Sequence, residues 1–522
     1  MADTVDWNAL AADVLANRAA TGQWFVSNTA PPPSGQVDWD ALAALVTANF
    51  AATGRWFLDA TPTPPQPPGP GVARFLFTAD DVVHGREFWV TDGTAAGTGL
   101  VADLTPGLAG TSAFGTAALG DGRALTALDD GVHGFEPWVT DGTAAGTRLV
   151  TDITQAPSNG PRPIFALGDG RALFGAFDPA RGEDLWVSDG TAAGTRPLDI
   201  NPGPDGSGPF GFLSLGPGRA LFDARDAARG AEPWISDGTA AGTRLVTDIN
   251  PGPAGSFAQG FLALGDGRFL FGAEDGIHGF EPWITDLTAA GTRLLADLEP
   301  GPSSSGASGF VALGGGRVAF EARDAVHGAA LWVTDGTAAG TRLVVDLNPS
   351  AGSSSPLGLV ALGGGQALFR VDDGVHGRLV APGIHGLTPW ATDGTVEGTR
   401  LLADVTTASG FVPLGGGRAL FAAEDAAHGT ELWLTDGSEA GTRLLADLNP
   451  GAGGSGPAAI RATGDGRALF AANDGVHGSE LWITDGTEAG TRLVADINQG
   501  PGGSGPADIL RLTPGGDLSP FG

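Results

Sequence analysis

The chain has 522 residues, enough for about two to four domains or for one long repeat array. Its 28 basic and 59 acidic residues give a formal charge of -31, which disfavours binding to nucleic acid and to anionic membranes. The absence of cysteine excludes disulfides, thiolate metal sites and cysteine nucleophiles.

The N-terminal part contains one short module twice, at residues 5–25 and 37–57. In the first copy an apolar stripe at helical spacing lies between Asp6, a helix-capping residue, and Gly22, a helix-ending residue. Because so short a helix is marginally stable alone, the copies either pack on one another or on the rest of the chain, or dock on a partner as two linked contacts. The candidate docking residues are Trp7, Leu10, Val14, Trp24 and Phe25 in the first copy and Trp39, Leu42, Val46, Trp56 and Phe57 in the second.

Composition divides the chain into five segments: residues 1–30 with the first helical repeat, 31–61 with a linker and the second, a proline-rich linker at 62–71, a repeat array at 72–516 and a tail at 517–522. The start has no basic stretch followed by an apolar one, and no apolar run of about 18 residues follows later. We therefore expect no membrane insertion and an extracellular or particle-associated protein without a cleaved signal peptide, with a cytoplasmic location as the alternative.

A tryptophan returns through the array at spacings that are mostly 48 or 49 residues, which is the period of a propeller blade. The unit at 117–154 contains four short apolar runs separated by glycine-rich turns, which predicts four strands and leaves no room for a helix. The nine tryptophans are Trp89, Trp138, Trp186, Trp234, Trp283, Trp332, Trp390, Trp433 and Trp482.

The two ends of the array predict that it closes into a ring. The first unit begins at Val72 without a first strand, whereas residues 506–512 match residues 457–463, which open the ninth unit. A C-terminal strand that completes the first blade leaves no exposed sheet edge. The sequence therefore predicts an all-β, nine-bladed propeller of four-stranded blades, preceded by a short helical segment.

Each unit has an aspartate three residues after its tryptophan, as in the pairs Trp89 and Asp92, Trp138 and Asp141, and Trp482 and Asp485. We expect the tryptophans to pack between sheets and the aspartates to accept backbone hydrogen bonds in turns. The stretch 480–491, ELWITDGTEAGT, resembles the bacterial ELWxxDGTxxGT repeat family over residues 72–516. The resemblance implies a repeat-built propeller of the bacterial exterior without an assigned activity. Departures from the pattern are Leu287, Ala330, Thr388 and Ser438.

A second repeated turn carries histidine in seven units and arginine, at Arg181 and Arg229, in two. Arginine does not ligate metals but donates hydrogen bonds, so this exchange favours a donor that stabilises the turn over a metal ligand. We expect no cofactor. Calcium stays open as an alternative because clustered carboxylates suit a hard cation.

No nucleophile elbow, HExxH or P-loop motif occurs, so we expect a protein that is not an enzyme. The repetition fails at an insertion at residues 378–385, where Arg378, His385, Asp372 and Asp373 are candidate ligand-binding residues. The main hypothesis is a binding or adhesion protein whose rim meets a cell-surface glycan or protein, with residues 1–60 attached to a larger assembly such as a virus-like particle. Two alternatives are a secreted structural surface protein, with or without calcium, and a polysaccharide-active enzyme.

Overall fold

The computed structural model describes residues 73–107, 110–153, 160–349, 353–377, 379–381, 384–451 and 453–512. The predicted helical repeats, their ten candidate docking residues, both linkers and the tail lie outside these ranges. The described part consists of strands and turns, and none of its segments is a helix long and apolar enough to span a membrane.

The strands form nine four-stranded antiparallel sheets, which are the blades of one propeller. Blade 1 has β1 (Phe75–Asp81), β2 (Gly85–Thr91), β3 (Gly99–Ala102) and the closing strand β38 (Ala507–Arg511). Blade 2 has β4 (Ser112–Ala118), β5 (Ala124–Asp129), β6 (Phe135–Thr140) and β7 (Arg148–Leu149), and blade 3 has β8 (Ile164–Ala166), β9 (Ala172–Asp178), β10 (Gly182–Ser188) and β11 (Arg196–Pro197). Blade 4 has β12 (Phe210–Ser214), β13 (Ala220–Asp226), β14 (Gly230–Ser236) and β15 (Arg244–Leu245), and blade 5 has β16 (Gln259–Ala263), β17 (Phe269–Glu274), β18 (Phe280–Thr285) and β19 (Arg293–Leu294).

The second half of the ring repeats this order, with one added hairpin. Blade 6 has β20 (Ser308–Gly314), β21 (Arg317–Asp324), β22 (Gly328–Thr334) and β23 (Arg342–Val345). Blade 7 has β24 (Leu357–Gly363), β25 (Gln366–Val371), β28 (Thr388–Thr392) and β29 (Arg400–Leu401), and its insertion forms a separate hairpin of β26 (Leu379–Ala381) and β27 (Ile384–His385). Blade 8 has β30 (Thr407–Gly415), β31 (Arg418–Asp425), β32 (Gly429–Thr435) and β33 (Arg443–Ala446), and blade 9 has β34 (Ala458–Ala462), β35 (Ala468–Asn473), β36 (Ser479–Thr484) and β37 (Arg492–Ala495).

The predicted closure is confirmed. The closing strand β38 pairs antiparallel with β1, with Leu510 opposite Leu76 and Arg511 opposite Phe75, although the two segments stand at opposite ends of the array. The amide of Leu512 also donates to the carbonyl of Arg74 at 2.8 Å. The sheet of blade 1 therefore joins both ends of the repeat array, and β38 covers the inner edge of β1.

Antiparallel order sorts the turns onto two faces of the ring. The first and third turns of each blade, such as 120–123 and 141–147, lie on one side, which we call the Asp-Gly-Thr face. The second turns, such as 130–134, and the connections between blades lie on the other, the His-turn face. The first strands of successive blades contact one another, so they are the innermost strands and surround the axis of the ring.

The repeated tryptophans pack across the seams between blades, as predicted. Trp138 of blade 2 is 8% exposed and lies in a cluster with Leu76, Phe88 and Val90 of blade 1. Trp89 packs in the same way against Leu469 of blade 9, and Trp482 belongs to the corresponding cluster of the seam between blades 8 and 9. Burial of one tryptophan contributes roughly 4 to 6 kcal/mol before entropy is counted.

Arginines of the Asp-Gly-Thr face tie each blade to the next. Arg123, in the first turn of blade 2, donates from Nη1 to the carbonyl of Asp189 in blade 3 at 3.0 Å. Arg148, at the start of the fourth strand, donates to the neighbouring carbonyl of Gly190 at 3.4 Å. Across the closure, Arg492 of blade 9 donates to the carbonyl of Gly93 in blade 1 at 3.3 Å. Each such bond contributes about 1 kcal/mol, so the seams combine apolar packing with specific polar contacts.

Ending the chain at Gly505 is expected to lower the melting temperature by several degrees and to cause self-association. The change removes Ile509 and Leu512 from buried clusters and exposes the edge of β1. Circular dichroism and light scattering measure the two effects, and a synthetic peptide of residues 503–512 should reverse them in trans. A shortened chain that melts at the original temperature as a monomer would show that closure does not stabilise the ring.

Candidate functional site

The repeated aspartate of the third turn is used within its own turn. In blade 2, Oδ1 of Asp141 accepts hydrogen bonds from the amide and the hydroxyl of Thr143 at 2.9 and 2.7 Å. A Cβ atom on Gly146 would lie 2.0 Å from the same oxygen, so this position requires glycine. Asp92 and Asp485 make the same two bonds with Thr94 and Thr487. These aspartates therefore maintain the turn.

The histidines of the second turn act as donors to an aspartate three residues earlier. His133 Nδ1 lies 2.8 Å from Oδ2 of Asp130, and in blade 4 Arg229 Nη1 occupies the equivalent place, 2.6 Å from Oδ2 of Asp226. The hydrogen bond to Asp130 raises the pKa of His133, and the nearby carboxylates of Asp152 and Glu136 raise it further. The exchange of histidine for arginine is thus an exchange of one donor for another. The same ion pair occurs at His84, His278, His327, His376, His428 and His477, and at Arg181.

Within the described ranges, no group of three or more histidine, aspartate or glutamate side chains is placed to hold a metal ion. The acidic groups near each second turn surround a histidine or an arginine.

A buried glutamate fastens the connection that leads to the next blade. Glu232 of blade 4 is fully buried and accepts hydrogen bonds from the amides of Ile249 and Asn250, at 3.0 and 3.1 Å, and from the hydroxyl of Ser256 at 2.7 Å. Burial raises its pKa to about 7, against the lowering effect of these donors. The glutamate of the repeat motif thus fastens the connection in this blade and, as Glu431 and Glu480, in blades 8 and 9.

The residues on either side of the insertion of blade 7 bond to the short connection that follows it and to the start of blade 8. The amide of Ala408, in the first strand of blade 8, donates to the carbonyl of Leu387 at 2.7 Å, and the amide of Gly377 donates to Oδ1 of Asp404 at 3.1 Å. The long connection is missing here, and the glutamate that would fasten it is replaced by Thr388.

Of the four candidate ligand-binding residues of this region, the structure describes the side chains of two. Arg378 lies outside the described residues, and the structure describes only the backbone of His385, in β27. Asp373 is the turn aspartate of blade 7, with Oδ2 2.6 Å from Nδ1 of His376, and Oδ1 of Asp372 accepts from the amide of Gly374 at 2.9 Å. The two aspartates thus stabilise the turn.

Another position, on the second strand of each blade, differs from blade to blade. We call it the variable position: it is the residue of each second strand that lies opposite the residue preceding the tryptophan. Most blades have a small side chain there, and in two blades the space is too small for any side chain: a Cβ on Gly175 would lie 2.6 Å from the carbonyl oxygen of Arg162, and one on Gly272 would lie 2.7 Å from that of Ala307. The nine residues are Thr78, Ala127, Gly175, Asp223, Gly272, Glu321, Arg370, Ala422 and Ala471.

Three blades place an ionisable group at the variable position. Asp223 is fully buried, and Arg370 donates to the carbonyl of Ala408 at 3.3 Å. Glu321 is only partly buried, lies opposite Ser308 of the inner strand, and makes no hydrogen bond within the described part of the chain. Burial alone raises the pKa of Glu321 to about 7. Glu321 therefore combines solvent access with a proton affinity suited to acid-base chemistry at neutral pH.

The inner strands carry few charged residues. Asp508, on the closing strand, is the one carboxylate on the nine described first strands, and it is exposed. Its backbone has a φ of 57°, in the left-handed region, where most other blades have glycine, and its Oδ2 accepts a hydrogen bond from Thr78 at 3.0 Å. The inner surface is otherwise mostly neutral, with side chains such as Ser308 and Leu357.

Sequence reasoning missed both the variable position and Asp508. A column-by-column comparison of the nine units would have found them, because Asp223, Glu321 and Arg370 stand where other units have glycine, alanine or threonine. The tryptophan and aspartate motif drew attention to the third strand, whereas these residues lie on the first and second strands.

No protein-family model and no curated protein matches the chain, so the resemblance to the ELWxxDGTxxGT family stays a prediction. Among solved structures, it is similar to a puromycin hydrolase, with 16% identity over 66% of this chain and 54% of that one and a TM-score of 0.38. It is also similar to a puromycin-hydrolyzing peptidase of Mycobacterium tuberculosis, with 13% identity, coverages of 64% and 53% and a TM-score of 0.37. A prolyl endopeptidase structure matches with 12% identity, coverages of 72% and 54% and a TM-score of 0.37. The chain spans about half the length of these proteins.

The interpretation of the chain as a non-enzymatic binding or adhesion protein is wrong. The similar structures are hydrolases and peptidases, and none of the three is described as an adhesion protein. The described parts of the irregular rim, on which that interpretation depended, contribute to packing and to turns. At these identities and TM-scores the comparisons carry no activity over to this chain.

The substitution Asp130→Asn should lower the pKa of His133 towards the ordinary value of 6.5, because it removes the bond that raises it. A histidine with a raised pKa adds stability below its unfolded pKa and loses it as the pH rises through the folded one. NMR titration of the ring protons measures the pKa, and His133→Arg assigns the resonance. His278 is the internal control. An unchanged pKa of His133 in Asp130→Asn would contradict this account of the turn.

Proposed function

We propose that the chain is a hydrolytic enzyme that acts on a polysaccharide, with Glu321 as its general acid. The observation that supports this proposal is the state of Glu321: a carboxyl group that is partly accessible, has no hydrogen-bond partner in the described structure and holds its proton near neutral pH. Blades 8 and 9 have Ala422 and Ala471 at the same position, so the fold does not require a carboxyl group there. This proposal replaces the expectation that the chain is not an enzyme.

Cleavage of a glycosidic bond needs a proton donor for the leaving oxygen and a carboxylate that activates water or attacks the sugar. Glu321 fits the first role because burial keeps it protonated up to about pH 7. Asp508, the exposed carboxylate of the inner strands, lies in blade 1, four blades from Glu321 in blade 6, which is too far apart for both groups to act on one bond, so the second carboxylate is left unassigned. The substrate class follows from charge: a chain with a formal charge of -31 repels anionic polymers, and the mostly neutral inner surface suits a neutral polysaccharide.

The substitution Glu321→Gln should reduce kcat by about 10²- to 10⁴-fold, the usual contribution of general acid catalysis. In the unchanged protein, kcat should fall as the pH rises through about 7, because Glu321 then loses its proton. Reducing-end release from a panel of neutral polysaccharides measures both effects. Glu488→Gln, at an exposed turn position, is the matched control and should keep full activity.

Two outcomes would remove the proposal: no hydrolysis of any polysaccharide by the unchanged protein, or full activity in Glu321→Gln. Glu321→Ala reproduces the residue of blades 8 and 9, so it separates catalysis from folding. It should be inactive and at least as stable as the unchanged protein, because it removes a buried carboxyl group without a partner.

A second candidate function is that of a structural protein secreted to the cell exterior. It is favoured by the repeated polar residues, which bond to their own turn or to the next blade, as Asp141 and Arg123 do. The closed ring has no cysteine, so these contacts and the tryptophan seams would replace disulfides outside the cell. The resemblance to the ELWxxDGTxxGT family supports the same location.

A calcium chelator should leave the melting temperature of the ring unchanged, because the turn carboxylates are bonded to protein donors. Differential scanning calorimetry with and without EDTA measures this, and added calcium in excess is the control for a weak site. A fall of several degrees in EDTA that calcium reverses would instead support the calcium-dependent form of the structural protein.

A further inference from the structure

The seam between blades 4 and 5 contains an acidic group that has no partner. Asp223 is 0% exposed, and neither of its carboxyl oxygens makes a hydrogen bond. It lies two residues after Leu221 on β13, so both side chains point to the same face of the sheet. That face packs against Phe261 and Phe271 of blade 5. The carboxyl group of Asp223 is therefore enclosed in an apolar seam.

The groups around Asp223 do not stabilise a negative charge. Across the sheet, the carboxyl of Glu232 lies close enough to oppose its ionisation, and Asp248 beyond it opposes that of Glu232. From blade 5 the nearest donor is the amide of Ala258, which favours ionisation weakly but does not complete a hydrogen bond. Arg225, two residues along β13, is exposed and forms no ion pair with Asp223 in the described structure. Burial is the largest effect and raises the pKa of Asp223 to about 8.

The other seams lack this arrangement. At the variable position, blade 8 has Ala422, which faces blade 9, and blade 5 has Gly272. The seam between blades 8 and 9 keeps the buried glutamate Glu431, so it differs from the seam between blades 4 and 5 chiefly in lacking the aspartate. It is a matched reference within the same molecule.

We propose that Asp223 makes the seam between blades 4 and 5 a pH-sensitive joint, which opens more readily when this carboxyl group loses its proton. The protonated acid fits the apolar seam, whereas the carboxylate has no partner there and gains water only when the blades separate. Because the ring is closed, loosening at one seam changes the shape of the whole ring without breaking the chain.

The direction of the effect follows from proton linkage. In the open seam Asp223 has its ordinary pKa of 3.8, and in the closed seam a pKa of about 8. The closed state therefore binds the proton more tightly, and its stability relative to the open state is complete below pH 3.8 and is lost as the pH rises to about 8. A single proton gives a change of about tenfold per pH unit in the opening equilibrium across this window.

Hydrogen exchange of the amides of β16 tests the proposal on the full chain. After correction for the intrinsic rate, protection at β16 should fall by about tenfold per pH unit between roughly pH 5 and pH 8, whereas protection at β34, in the reference seam, should fall much less. The substitution Asp223→Ala, which reproduces the residue of blades 8 and 9, should abolish the slope between pH 7 and pH 8 and raise the melting temperature at pH 8. Asp223→Asn should also abolish that slope. Below pH 7 Glu232, whose pKa burial raises to about 7, contributes to the slope as well.

Equal slopes at β16 and β34 would overturn the proposal, since no special joint would then exist. A slope between pH 7 and pH 8 that persists in Asp223→Ala, or in Asp223→Asn, would overturn it as well, because a group other than Asp223 would then be titrating. Melting of each variant at pH 5 confirms that the chain folds before its exchange is compared.

Discussion

The structure depends on the packing of each tryptophan against the preceding sheet. A four-stranded blade is apolar on both faces, so it is stable only between two neighbours, and nine blades satisfy this condition only if the first meets the last. The pairing of β38 with β1 completes blade 1, which packs against blade 9. The cluster around Trp89 contains side chains of blades 1 and 9, so the ring closes through the same kind of apolar packing that joins the other blades.

The repeated polar residues support this packing through hydrogen bonds within their own blade or to the next blade. Asp141 fixes its turn, Glu232 fastens a connection, and Arg123 reaches the carbonyls of the next blade. Thr388 replaces the glutamate in blade 7, whose following connection is short, and Ala330 replaces it in blade 6, whose following connection is long. A side chain that makes no such hydrogen bond in the described structure, such as Glu321, is therefore a better candidate for function than the repeated residues.

At the variable position, access to solvent distinguishes two carboxyl groups that occupy equivalent places. Asp223 and Glu321 occupy equivalent places, and burial raises the pKa of both. Asp223 is sealed in an apolar seam, so its proton can act only on the stability of that seam. Glu321 is partly accessible, so its proton can reach a substrate. The same substitution of a small residue by an acid thus has two different consequences within one ring.

The sequence by itself determined the strand count, the blade period and the closing strand. These features are local: a tryptophan spacing, turn glycines, and a unit split between the ends of the array. Tertiary structure decided which side chains meet across the seams. Arg123 and Asp189 are 66 residues apart. No sequence pattern indicates that the first turn of blade 2 lies beside the third turn of blade 3. The same holds for the bond between Gly377 of blade 7 and Asp404 of the connection to blade 8, which only the folded ring brings about.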